Sequence, residues 1–394
     1  MTKRDWIAAA LIAGFAFLIR SATFGNPTLE PDESFYMLVG IKMHDGLLPY
    51  IDIYDRKPFG LFLIYYLIAF ISHDPAAYQV VATLFAATTG FVIYAFSRSA
   101  GGIAAGCLYL AGLALLFGNG GQAPVFYNLL VAAAGWLIFF NRKVGLAMIL
   151  CGAAITIKHS AVFEAIFLGL YAMRNRPLRD AVKFVALGCF PFALTALPFL
   201  SHFDRFWACV FLAPIDNEAK SAVLIAKRLI EAFPVVFAGL AGLALSRHRL
   251  FLSGWLLATA LSFVAVPNFY PHYLLPMLVP LSIASARLGF GTIPFVLLAV
   301  WMHWPFDFER TKQARAEFAR LDKALSNYPG RLAVNTGPVL LYRNRSMPYD
   351  VWHPQGDVIV DRCDRADFLY MMRQSAIGVC IFANAPPAAD AVSP

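Results

Sequence analysis

Acidic and basic residues are concentrated in one early stretch of the chain, residues 29–60, LEPDESFYMLVGIKMHDGLLPYIDIYDRKPFG. The stretch places the carboxylates of Asp32 and Glu33 in the same loop as the cations of Arg56 and Lys57. A carboxylate can accept the proton of an attacking hydroxyl or amine. A lysine or arginine can bind a phosphate that leaves. These residue types together indicate acid–base chemistry on a phosphate-bearing molecule.

Asp32 also has a plainer interpretation as a helix cap. Pro31 and Asp32 precede a run, Ser34 to His44, that is predicted to be a helix ended by Gly46. An aspartate before a helix caps it by accepting backbone N–H bonds. The apolar residues of the run lie nearly all round this helix, which favours a position in the membrane interface. Capping and proton transfer are compatible, so both interpretations stay open.

The composition indicates a membrane protein. Of 394 residues, 59% are hydrophobic and 14% are charged, and the mean hydropathy is +0.63, whereas a soluble domain carries about 25% charged residues. The net charge of +8 comes from short basic clusters between apolar runs, the positive-inside pattern of cytoplasmic loops. No continuous basic face of the kind that binds nucleic acid is evident. The clusters are Lys3-Arg4, Arg142-Lys143, Arg174 to Arg179 and Arg247 to Arg249.

Apolar runs predict about eleven transmembrane helices, with the N-terminus inside and the C-terminus outside. The run 58–72 is short, so we expect it to dip into the membrane without crossing it. On this topology 25–76, 119–124, 201–228, 268–270 and the tail face the outer side. The predicted spans are 6–24, 77–96, 103–118, 125–141, 144–158, 160–173, 181–200, 229–246, 250–267, 271–286 and 289–304.

The tail differs from the rest of the chain, because its charge rises and its apolar runs become too short to span a membrane. The predicted fold class is an α-helical polytopic membrane protein with outer-face juxtamembrane helices. We expect a transmembrane domain over 1–304 and a small soluble α/β domain over 305–394. The predicted elements of the tail are an amphipathic helix over 310–326, short strands over 331–335 and 377–382, and a helix over 365–374.

Two further segments carry polar groups near the predicted outer boundary. Lys158 and His159 lie between two short apolar runs, and a lysine in such a place marks a functional site by default. The alternative is a lysine that snorkels to the headgroups. His272 and Tyr273 open a late span, where the histidine can donate to a phosphate and the aromatic ring can instead anchor the interface.

Other polar features have structural interpretations. Arg20, near the outer end of the first span, is interpreted as snorkelling. The charged residues between 204 and 220 form a solvated outer loop that could also close over an acceptor. Cys363 and Cys380 could pair in an oxidising compartment, although nothing in the sequence brings them together. The remaining cysteines lie in or beside apolar runs and are expected to act as small hydrophobic residues: Cys107, Cys151, Cys189 and Cys209.

The stretch 29–60 resembles the first outer loop of GT-C superfamily glycosyltransferases. The resemblance is greatest to the group that contains protein O-mannosyltransferases and the lipid A aminoarabinose transferase. That group has an Asp-Glu pair after the first helix and then an aromatic residue. A Gly-x-x-Pro-Tyr-x-Asp segment and a Lys-Pro-Pro turn follow, and the turn opens an apolar run. The matching residues are Asp32-Glu33, Tyr36, Gly46 to Asp52 and Lys57-Pro58-Phe59-Gly60, where Phe59 replaces the second proline and leaves the lysine intact.

The resemblance implies transfer of a sugar from a polyprenyl-phosphate carrier to an acceptor on the outer face. Asp32 is implied as the base that activates the acceptor, and Lys57 as a contact to the donor's phosphate. Direct displacement would invert the anomeric centre. We assign Glu33, Tyr36 and Asp55 to acceptor binding and Lys57, Arg56, Lys158, His159, His272 and Tyr273 to binding of the donor's phosphate.

The resemblance also implies partners and a location. The expected partners are the lipid-linked sugar donor, an acceptor that is a lipid, a glycan or a protein, and membrane lipids. Nucleic acid is not expected. The expected location is the bacterial inner membrane, with the active site facing the periplasm. Clustered carboxylates also bind hard cations, but the positive charges already present make a metal unnecessary, so no cofactor is expected.

A non-enzymatic transporter or flippase of lipid-linked sugars is the alternative function. It explains the spans and the lysine in apolar sequence. A transporter is expected to show inverted repeats, and charges or broken helices near the middle of the membrane. Here the charges cluster at one predicted face and no internal repeat is evident. A polysaccharide ligase or polymerase shares the topology, but its outer-loop signature is not recognised in this sequence.

Overall fold

The computed structural model describes residues 1–53, 55–212, 221, 223–326, 332–334 and 379–381. Within these residues the chain is built almost entirely of α-helices, as its apolar runs predict. In chain order the helices are α1 (Lys3–Arg20), α2 (Pro31–His44), α3 (Phe59–Ala69), α4 (Pro75–Ser97), α5 (Ala100–Leu115), α6 (Ala123–Phe139), α7 (Val144–Ile157), α8 (Val162–Met173), α9 (Arg179–Ala196), α10 (Phe203–Trp207), α11 (Val223–Glu231), α12 (Phe233–Ala244), α13 (Arg249–Val264), α14 (Leu278–Ser285), α15 (Ile293–Met302) and α16 (Phe308–Ser326), and the strands are β1 (Leu332–Val334) and β2 (Val379–Ile381).

Several of these helices have the length and composition of membrane spans. Each predicted span contains an apolar helix, and the chain is a helical membrane protein. The number of crossings stays a prediction, because many of the apolar helices are shorter than the roughly 20 residues that a perpendicular span needs. In the described part of the chain, the stretches long and apolar enough to cross are Lys3–Thr23, Pro75–Ser97, Arg179–Leu212 and Pro271–Met302.

Two local features bear on the predicted topology. The helix α3 has 11 residues, which makes it about 16 Å long, about half of a 30 Å hydrocarbon core. The helix α15, which lies in a predicted span, is shorter still with 10 residues, so the prediction that 58–72 does not span stays a prediction. In the stretch Pro271–Met302, Gly289 has φ +61° and ψ −127°, which breaks the helix. The break falls at the predicted boundary between the spans 271–286 and 289–304.

The chain forms two compact units, and the first comprises residues 1–22, 81–197 and 217–306. Its helices approach one another closely where glycine removes the side chain. A Cβ on Gly152 would collide with the carbonyl of Gly188, and a Cβ on Gly242 would collide with the carbonyl of Ala284. Small residues at helix contacts are typical of membrane bundles, where close backbone packing replaces the hydrophobic effect.

Arg20 does not snorkel, which corrects the sequence interpretation. Its side chain is 1% exposed. Its guanidinium donates from Nε to Thr83 Oγ1 (2.9 Å), from Nη1 to the carbonyl of Gly118 (2.6 Å) and from Nη2 to the carbonyl of Gly120 (2.9 Å). A buried guanidinium is stable only when its donors are satisfied. Arg20 therefore ties the loop before α6 to α1 and α4.

The second unit comprises residues 23–80, 198–216 and 307–394. At its centre lie the consecutive helices α2 and α3, which pack backbone against backbone at Gly40. A Cβ on Gly40 would lie 2.6 Å from the carbonyl carbon of Tyr65. This packing explains the apolar residues that surround α2, which were predicted to face a membrane interface. Four of them are buried in the protein: Tyr36, Met37, Leu38 and Val39 are at most 2% exposed. A position of α2 in the membrane interface stays a prediction.

The described part of the tail agrees with its predicted elements. The helix α16 matches the prediction over 310–326, and β1 pairs with β2 in antiparallel register, with Ala333 opposite Cys380. The predicted helix over 365–374 and Cys363 lie outside the described residues. The chain divides at 306/307, but the tail belongs to the same unit as residues 23–80 and 198–216, so an independent α/β domain over 305–394 stays a prediction.

The helix α16 has contacts of its own within the second unit. Asn26 Nδ2 donates to Thr311 Oγ1 (3.3 Å), and the guanidinium of Arg315 lies 3.8 Å from the carboxylate of Asp74. The start of the tail is therefore attached to the segments on either side of the loop that carries the candidate site.

Candidate active site

The loop between α2 and α3 is a compact turn that depends on unusual backbone angles. Gly46 has φ +87° and Tyr50 has φ +67°. The backbone N–H of Tyr50 donates to the carbonyl of Ile53 (2.7 Å), and the carboxylate of Asp52 accepts the backbone N–H of Leu48 (2.7 Å). A tyrosine in the left-handed region is strained, so this turn persists only because its surroundings hold it.

Those surroundings are an aromatic cluster. The ring of Tyr50 is fully buried and packs edge-on against Phe62 of α3, Phe199 and Phe206. Phe199 and Phe206 stack on each other with ring centroids 5.2 Å apart. They come from the segment 198–216, which therefore supports the loop from outside it. Edge-to-face aromatic pairs contribute about 0.5–1.5 kcal/mol each beyond their buried area.

Lys57 is clamped at its backbone by two side chains of this loop. Asp55 Oδ1 accepts the N–H of Lys57 (2.6 Å), and the hydroxyl of Tyr50 donates to the carbonyl of Lys57 (2.6 Å). Both ends of the residue are thereby fixed just before α3. Asp55 was predicted to bind the acceptor, and its bond to Lys57 gives it a positioning role in the lysine turn.

Asp32 and Lys57 approach the same tyrosine. The hydroxyl of Tyr36 donates to Asp32 Oδ2 (3.3 Å), and Lys57 Nζ lies 6.0 Å from the centroid of the Tyr36 ring, within cation–π range. The Tyr36 ring is buried and packs against Tyr65 and Phe62 of α3. The structure thus brings together the predicted base, its predicted aromatic neighbour and the predicted phosphate contact.

Asp32 does not cap α2, which corrects the plainer interpretation. The residue at the cap is Glu30, and its side chain makes no capping hydrogen bond. Asp32 is the second residue of the helix, directly after Pro31 in its first turn, and its side chain is exposed. The free backbone N–H groups and the helix dipole favour a negative charge there. The exposed carboxylate is accessible to an acceptor from solvent.

Glu33 occupies a different environment from its neighbour. Its side chain is fully buried, and its charge lies close enough to Tyr65 to act on that hydroxyl. A buried carboxylate cannot meet a soluble acceptor without a rearrangement. Acceptor binding by Glu33 stays a prediction. Its burial favours a role in orienting the aromatic residues around it.

The carboxyl groups of this unit differ in their acidity. Burial, together with the carboxylate of Asp32, raises the pKa of Glu30 from 4.5 to about 7, while Arg310 of α16 acts in the opposite direction. Burial also raises the pKa of Asp55, although Lys57 and its backbone N–H oppose the shift. The carboxyl group of Glu30, at the start of α2, therefore changes its protonation near neutral pH.

A second group of predicted residues lies in the first unit. Lys158 ends α7 in an extended conformation, and a short 3₁₀ turn at His159–Ala161 follows before α8 begins. The predicted interruption between the two apolar runs is therefore confirmed. Lys158 Nζ lies 4.0 Å from the centroid of the Tyr273 ring, which is a close cation–π contact. His159 is half-buried beside it.

Tyr273 also contacts the predicted histidine. The ring of His272 is perpendicular to Tyr273 at 4.7 Å and parallel to Tyr270 at 5.7 Å. The structure thus brings Lys158, His272 and Tyr273 into one cluster. This cluster belongs to the first unit, and the Asp32–Tyr36–Lys57 cluster belongs to the second.

The turn before His272 is held by a residue that the sequence did not single out. Arg228 of α11 donates from Nε to the carbonyl of Phe269 (2.9 Å) and from Nη1 to both oxygens of Glu231 (2.8 and 2.9 Å). Phe269 has φ +48°. The paired arginine therefore fixes a strained backbone two residues before the 3₁₀ helix at Pro271–Met277.

The remaining predictions for the site concern Arg56, the second charged loop and metal binding. Arg56 is exposed and Arg205 donates weakly to the carbonyl of Ile51 (3.4 Å). Most of the second charged loop, from 213 to 220, lies outside the described residues. No group of three or more His, Cys, Asp or Glu side chains in the described part of the chain is arranged to hold a metal ion. That the protein needs no metal stays a prediction.

Sequence reasoning missed Tyr50 and Glu30. Tyr50 belongs to the Gly-x-x-Pro-Tyr-x-Asp match, so the motif contained a signal, but its hydrogen bond to Lys57 follows from a turn that the sequence does not specify. Glu30 precedes the Asp-Glu pair and had no pattern of its own. Its elevated pKa depends on burial and on the carboxylate of Asp32, and Arg310 of α16 opposes the shift.

No protein-family model and no curated protein matches the sequence. Among solved structures, the chain is similar to the crystal structure of ArnT from Cupriavidus metallidurans bound to undecaprenyl phosphate, with a TM-score of 0.63 and 13% identity. The match covers 88% of this chain and 86% of that chain. ArnT is a GT-C lipid A aminoarabinose transferase. The chain has the fold of ArnT, which confirms, at the level of the fold, the GT-C resemblance that residues 29–60 predict.

Proposed function

We propose that the protein is a membrane glycosyltransferase that moves a sugar from a polyprenyl-phosphate carrier to an acceptor. The observation that carries this proposal is the approach of Asp32 and Lys57 to the same buried ring, Tyr36. A carboxylate and a cation held in one place are what acceptor activation and phosphate departure require. The fold shared with ArnT, whose structure contains undecaprenyl phosphate, supports the same class of donor.

Asp32 is the proposed general base. It is exposed, and the hydroxyl of Tyr36 holds one of its oxygens, so the other oxygen can accept the proton of an acceptor hydroxyl or amine. General-base catalysis of this kind contributes about 10²- to 10⁴-fold in rate. Attack by the activated acceptor on the anomeric carbon displaces the carrier's phosphate and inverts that centre.

Lys57 is the proposed contact to the departing phosphate. Its backbone is fixed by Asp55 and Tyr50, so only its side chain has to be ordered when the donor binds. A preorganised cation stabilises charge that develops on a leaving oxyanion. Arg56 adds a second, exposed cation next to it. The cluster of Lys158, His272 and Tyr273 in the other unit is a further candidate phosphate contact, because it joins a lysine to an imidazole.

The proposed orientation places these chemical groups at the periplasmic face of the bacterial inner membrane. The second unit consists of residues 23–80, 198–216 and 307–394. These ranges largely coincide with segments that the basic-loop pattern assigns to the outer side, 25–76, 201–228 and the tail. This correspondence supports the orientation.

Transfer of labelled sugar by the purified full-length protein tests the proposal. The protein is mixed with polyprenyl-phosphate sugars and a membrane extract that supplies acceptors, and both donor and product are followed. We expect consumption of one donor, release of polyprenyl phosphate and a product of inverted configuration. A protein that consumes no donor of the panel contradicts the enzymatic proposal, and movement of intact donor across a vesicle membrane supports the transporter instead.

A pair of lysine variants locates the donor contact. Lys57→Gln is expected to weaken use of the donor by about tenfold or more, because a charge-assisted bond to phosphate contributes about 1.5–3 kcal/mol. Lys42→Gln is the matched control, since Lys42 lies in the same unit and is paired with Asp45 at 3.0 Å. Equal activity of the two variants would remove Lys57 from the proposed site.

A further inference from the structure

A polar cavity of about 330 Å³ lies in the first unit, at the end of the bundle where α6 meets α7 and α8 meets α9. It is far larger than a single water site requires. The cavity is separate from every residue assigned to the proposed reaction. Its polar and aromatic lining includes Asn141, Tyr171, Arg174, Asn175, Arg176 and Asp180.

The lining is cationic and its cations are held in place. Arg176 Nη2 donates to Asn141 Oδ1 (2.6 Å), and its guanidinium lies 5.7 Å from the ring of Phe184. The guanidinium of Arg174 lies 4.2 Å from the ring of Tyr171. An arginine carries five N–H donors, so the bond to Asn141 and the ring contacts orient these groups while using few of their donors. The lining contains two guanidinium groups and one carboxylate, that of Asp180.

The backbone at the rim of the cavity is strained. Asn141 has φ +50° and Lys143 has φ +41°, so two residues in the turn between α6 and α7 adopt left-handed angles without being glycine. Such angles cost of the order of 1–3 kcal/mol each and are retained where the surrounding structure requires them. Here the turn places Asn141 against Arg176.

The position of the cavity along the bundle indicates which leaflet it meets. The turns that form it carry Arg142-Lys143 and Arg174 to Arg179, which are two of the basic clusters of the chain. Basic clusters mark the cytoplasmic side of a membrane protein, and the cytoplasmic leaflet carries anionic lipids.

The helices beside the cavity present apolar side chains outward. Ile166 and Leu170 of α8 are 56% and 69% exposed, and Val182 and Val185 of α9 are 75% and 65% exposed. In a membrane protein these surfaces contact acyl chains. A ligand with a phosphate at the cavity and two acyl chains along these helices would satisfy both surfaces, whereas a soluble anion would use only the first.

We propose that this cavity binds the phosphate headgroup of an anionic phospholipid in the cytoplasmic leaflet. The phosphate would accept charge-assisted hydrogen bonds from Arg174 and Arg176, and Asn175 would supply a neutral polar contact. The site is distinct from the proposed sugar-transfer chemistry in location and in ligand, and it does not depend on that function.

Native mass spectrometry of the full-length protein tests the proposal. The protein is incubated with phosphatidylglycerol or with phosphatidylcholine, and the retained lipid is counted. We expect preferential retention of phosphatidylglycerol and a loss of about tenfold in its affinity in Arg176→Gln, from the size of a charge-assisted hydrogen bond. Arg247→Gln is the matched control, because Arg247 is exposed in another basic cluster and does not line the cavity. Equal losses in the two variants, or equal retention of the two lipids, overturn the proposal.

Thermal unfolding of the wild-type protein separates a lipid from a soluble phosphate and does not depend on how the variants fold. We expect phosphatidylglycerol to raise the unfolding temperature and glycerol 3-phosphate at the same concentration to leave it unchanged. Stabilisation by glycerol 3-phosphate equal to that by the lipid would assign the cavity to a soluble anion and contradict the lipid proposal. Stabilisation by neither compound overturns it as well.

Discussion

The backbone of Lys57 is held by a buried hydroxyl and by a carboxylate. The hydroxyl of Tyr50 and Asp55 Oδ1 each bond to its backbone at 2.6 Å. Tyr50 is in turn fixed by the aromatic rings of Phe199 and Phe206. The position of the proposed phosphate contact is therefore controlled by residues that touch neither donor nor acceptor.

Tyr50→Phe tests this control. The substitution keeps the ring and removes one hydrogen bond, so we expect it to cost about 0.5–1.5 kcal/mol. The loss should appear mainly as a rise of several-fold in the KM for the donor, measured by steady-state sugar transfer. Tyr66→Phe is the control, because Tyr66 stacks on His44 at the other end of α3 and has no contact with the lysine turn. A donor KM unchanged in Tyr50→Phe would show that the clamp is not needed.

Glu30 predicts a pH dependence of stability. Its pKa is about 7 in the folded protein, compared with 4.5 for an ordinary glutamate such as that of the unfolded chain. The folded state therefore binds the proton more tightly than the unfolded state does. The associated stability is fully present below pH 4.5 and is lost as the pH rises through 7. Each pKa unit of the shift corresponds to at most about 1.36 kcal/mol in the free energy of unfolding. Because Glu30 is partly exposed, we expect its total contribution to be of the order of 1–3 kcal/mol.

Denaturant unfolding between pH 4.5 and pH 8 measures this effect. Wild-type protein is expected to lose stability across that range, and Glu30→Gln is expected to flatten the dependence, because glutamine does not titrate. Glu309→Gln is the control, since its carboxylate is exposed and pairs only loosely with Lys312 at 3.5 Å. An unaltered pH slope in Glu30→Gln would contradict the assignment.

Residue types alone were informative only where a motif accompanied them. Asp32 and Lys57 were identified because they belong to a spaced pattern, and the structure brings both to Tyr36. Asp32 as a cap was wrong, because the helix begins two residues earlier than a cap at Asp32 requires and Glu30 takes the cap position. Arg20 was misread because burial depends on the partners supplied by other helices.

At the scale of elements, the pair α2 and α3 supports the candidate site. The two helices approach most closely at Gly40, and their contact buries Tyr36, Phe62 and Tyr65. Tyr36 is the residue that Asp32 and Lys57 both approach. A displacement of α3 would therefore move the two proposed functional groups relative to each other.

Gly40→Ala tests this packing. A Cβ there would lie 2.6 Å from the backbone of Tyr65, which cannot move without shifting α3. Overpacking typically costs about 1–3 kcal/mol, which outweighs the roughly 1 kcal/mol that alanine gains over glycine in a helix. We expect a lower unfolding temperature and reduced sugar transfer.

Gly14→Ala is the matched control for the same exchange. No atom lies within 4 Å of a Cβ built on Gly14 of α1, so the substitution should be neutral or slightly stabilising. If Gly40→Ala behaves like this control in both thermal unfolding and transfer, the close approach of α2 and α3 is not a structural requirement.

The elements themselves were largely predictable, because apolar composition and length decide which segments form membrane helices. The interruption at Lys158 and the break at Gly289 also follow from polar residues and glycine. The partner of each helix was not predictable. The apolar surface of α2 could face lipid or protein, and only the close approach at Gly40 shows that part of it faces protein.

At the scale of the whole molecule, most of the residues predicted to face the outer side belong to the second compact unit, whereas 119–124, 217–228 and 268–270 belong to the first. Residues 23–80 and 198–216 form the second unit together with the described start of the tail. Long-range contacts of this kind, such as that of Asn26 with Thr311 (3.3 Å), are not encoded in local periodicity. The sequence predicts which side of the membrane these segments face, but it does not predict that they pack together into one compact unit.

Cysteine accessibility tests the proposed orientation. In a background without native cysteines, His73→Cys is expected to react with an impermeant thiol reagent added to the periplasmic side. Leu178→Cys, at a residue that is 84% exposed in a basic turn, is expected to react only from the cytoplasmic side. The opposite pattern would invert the topology, and reaction of both from one side would contradict the assignment of 58–72.

The central claim is that Asp32 acts in chemistry and not in donor binding, and one comparison on the same preparation tests it. Binding of undecaprenyl phosphate and transfer of labelled sugar are measured for wild-type protein, Asp32→Asn and Asp45→Asn, whose carboxylate is exposed and pairs with Lys42 at 3.0 Å. We predict that Asp32→Asn binds the lipid within about twofold of wild type but transfers sugar about 100-fold more slowly or worse. Asp45→Asn should match wild type in both. Transfer by Asp32→Asn at the wild-type rate would contradict the account.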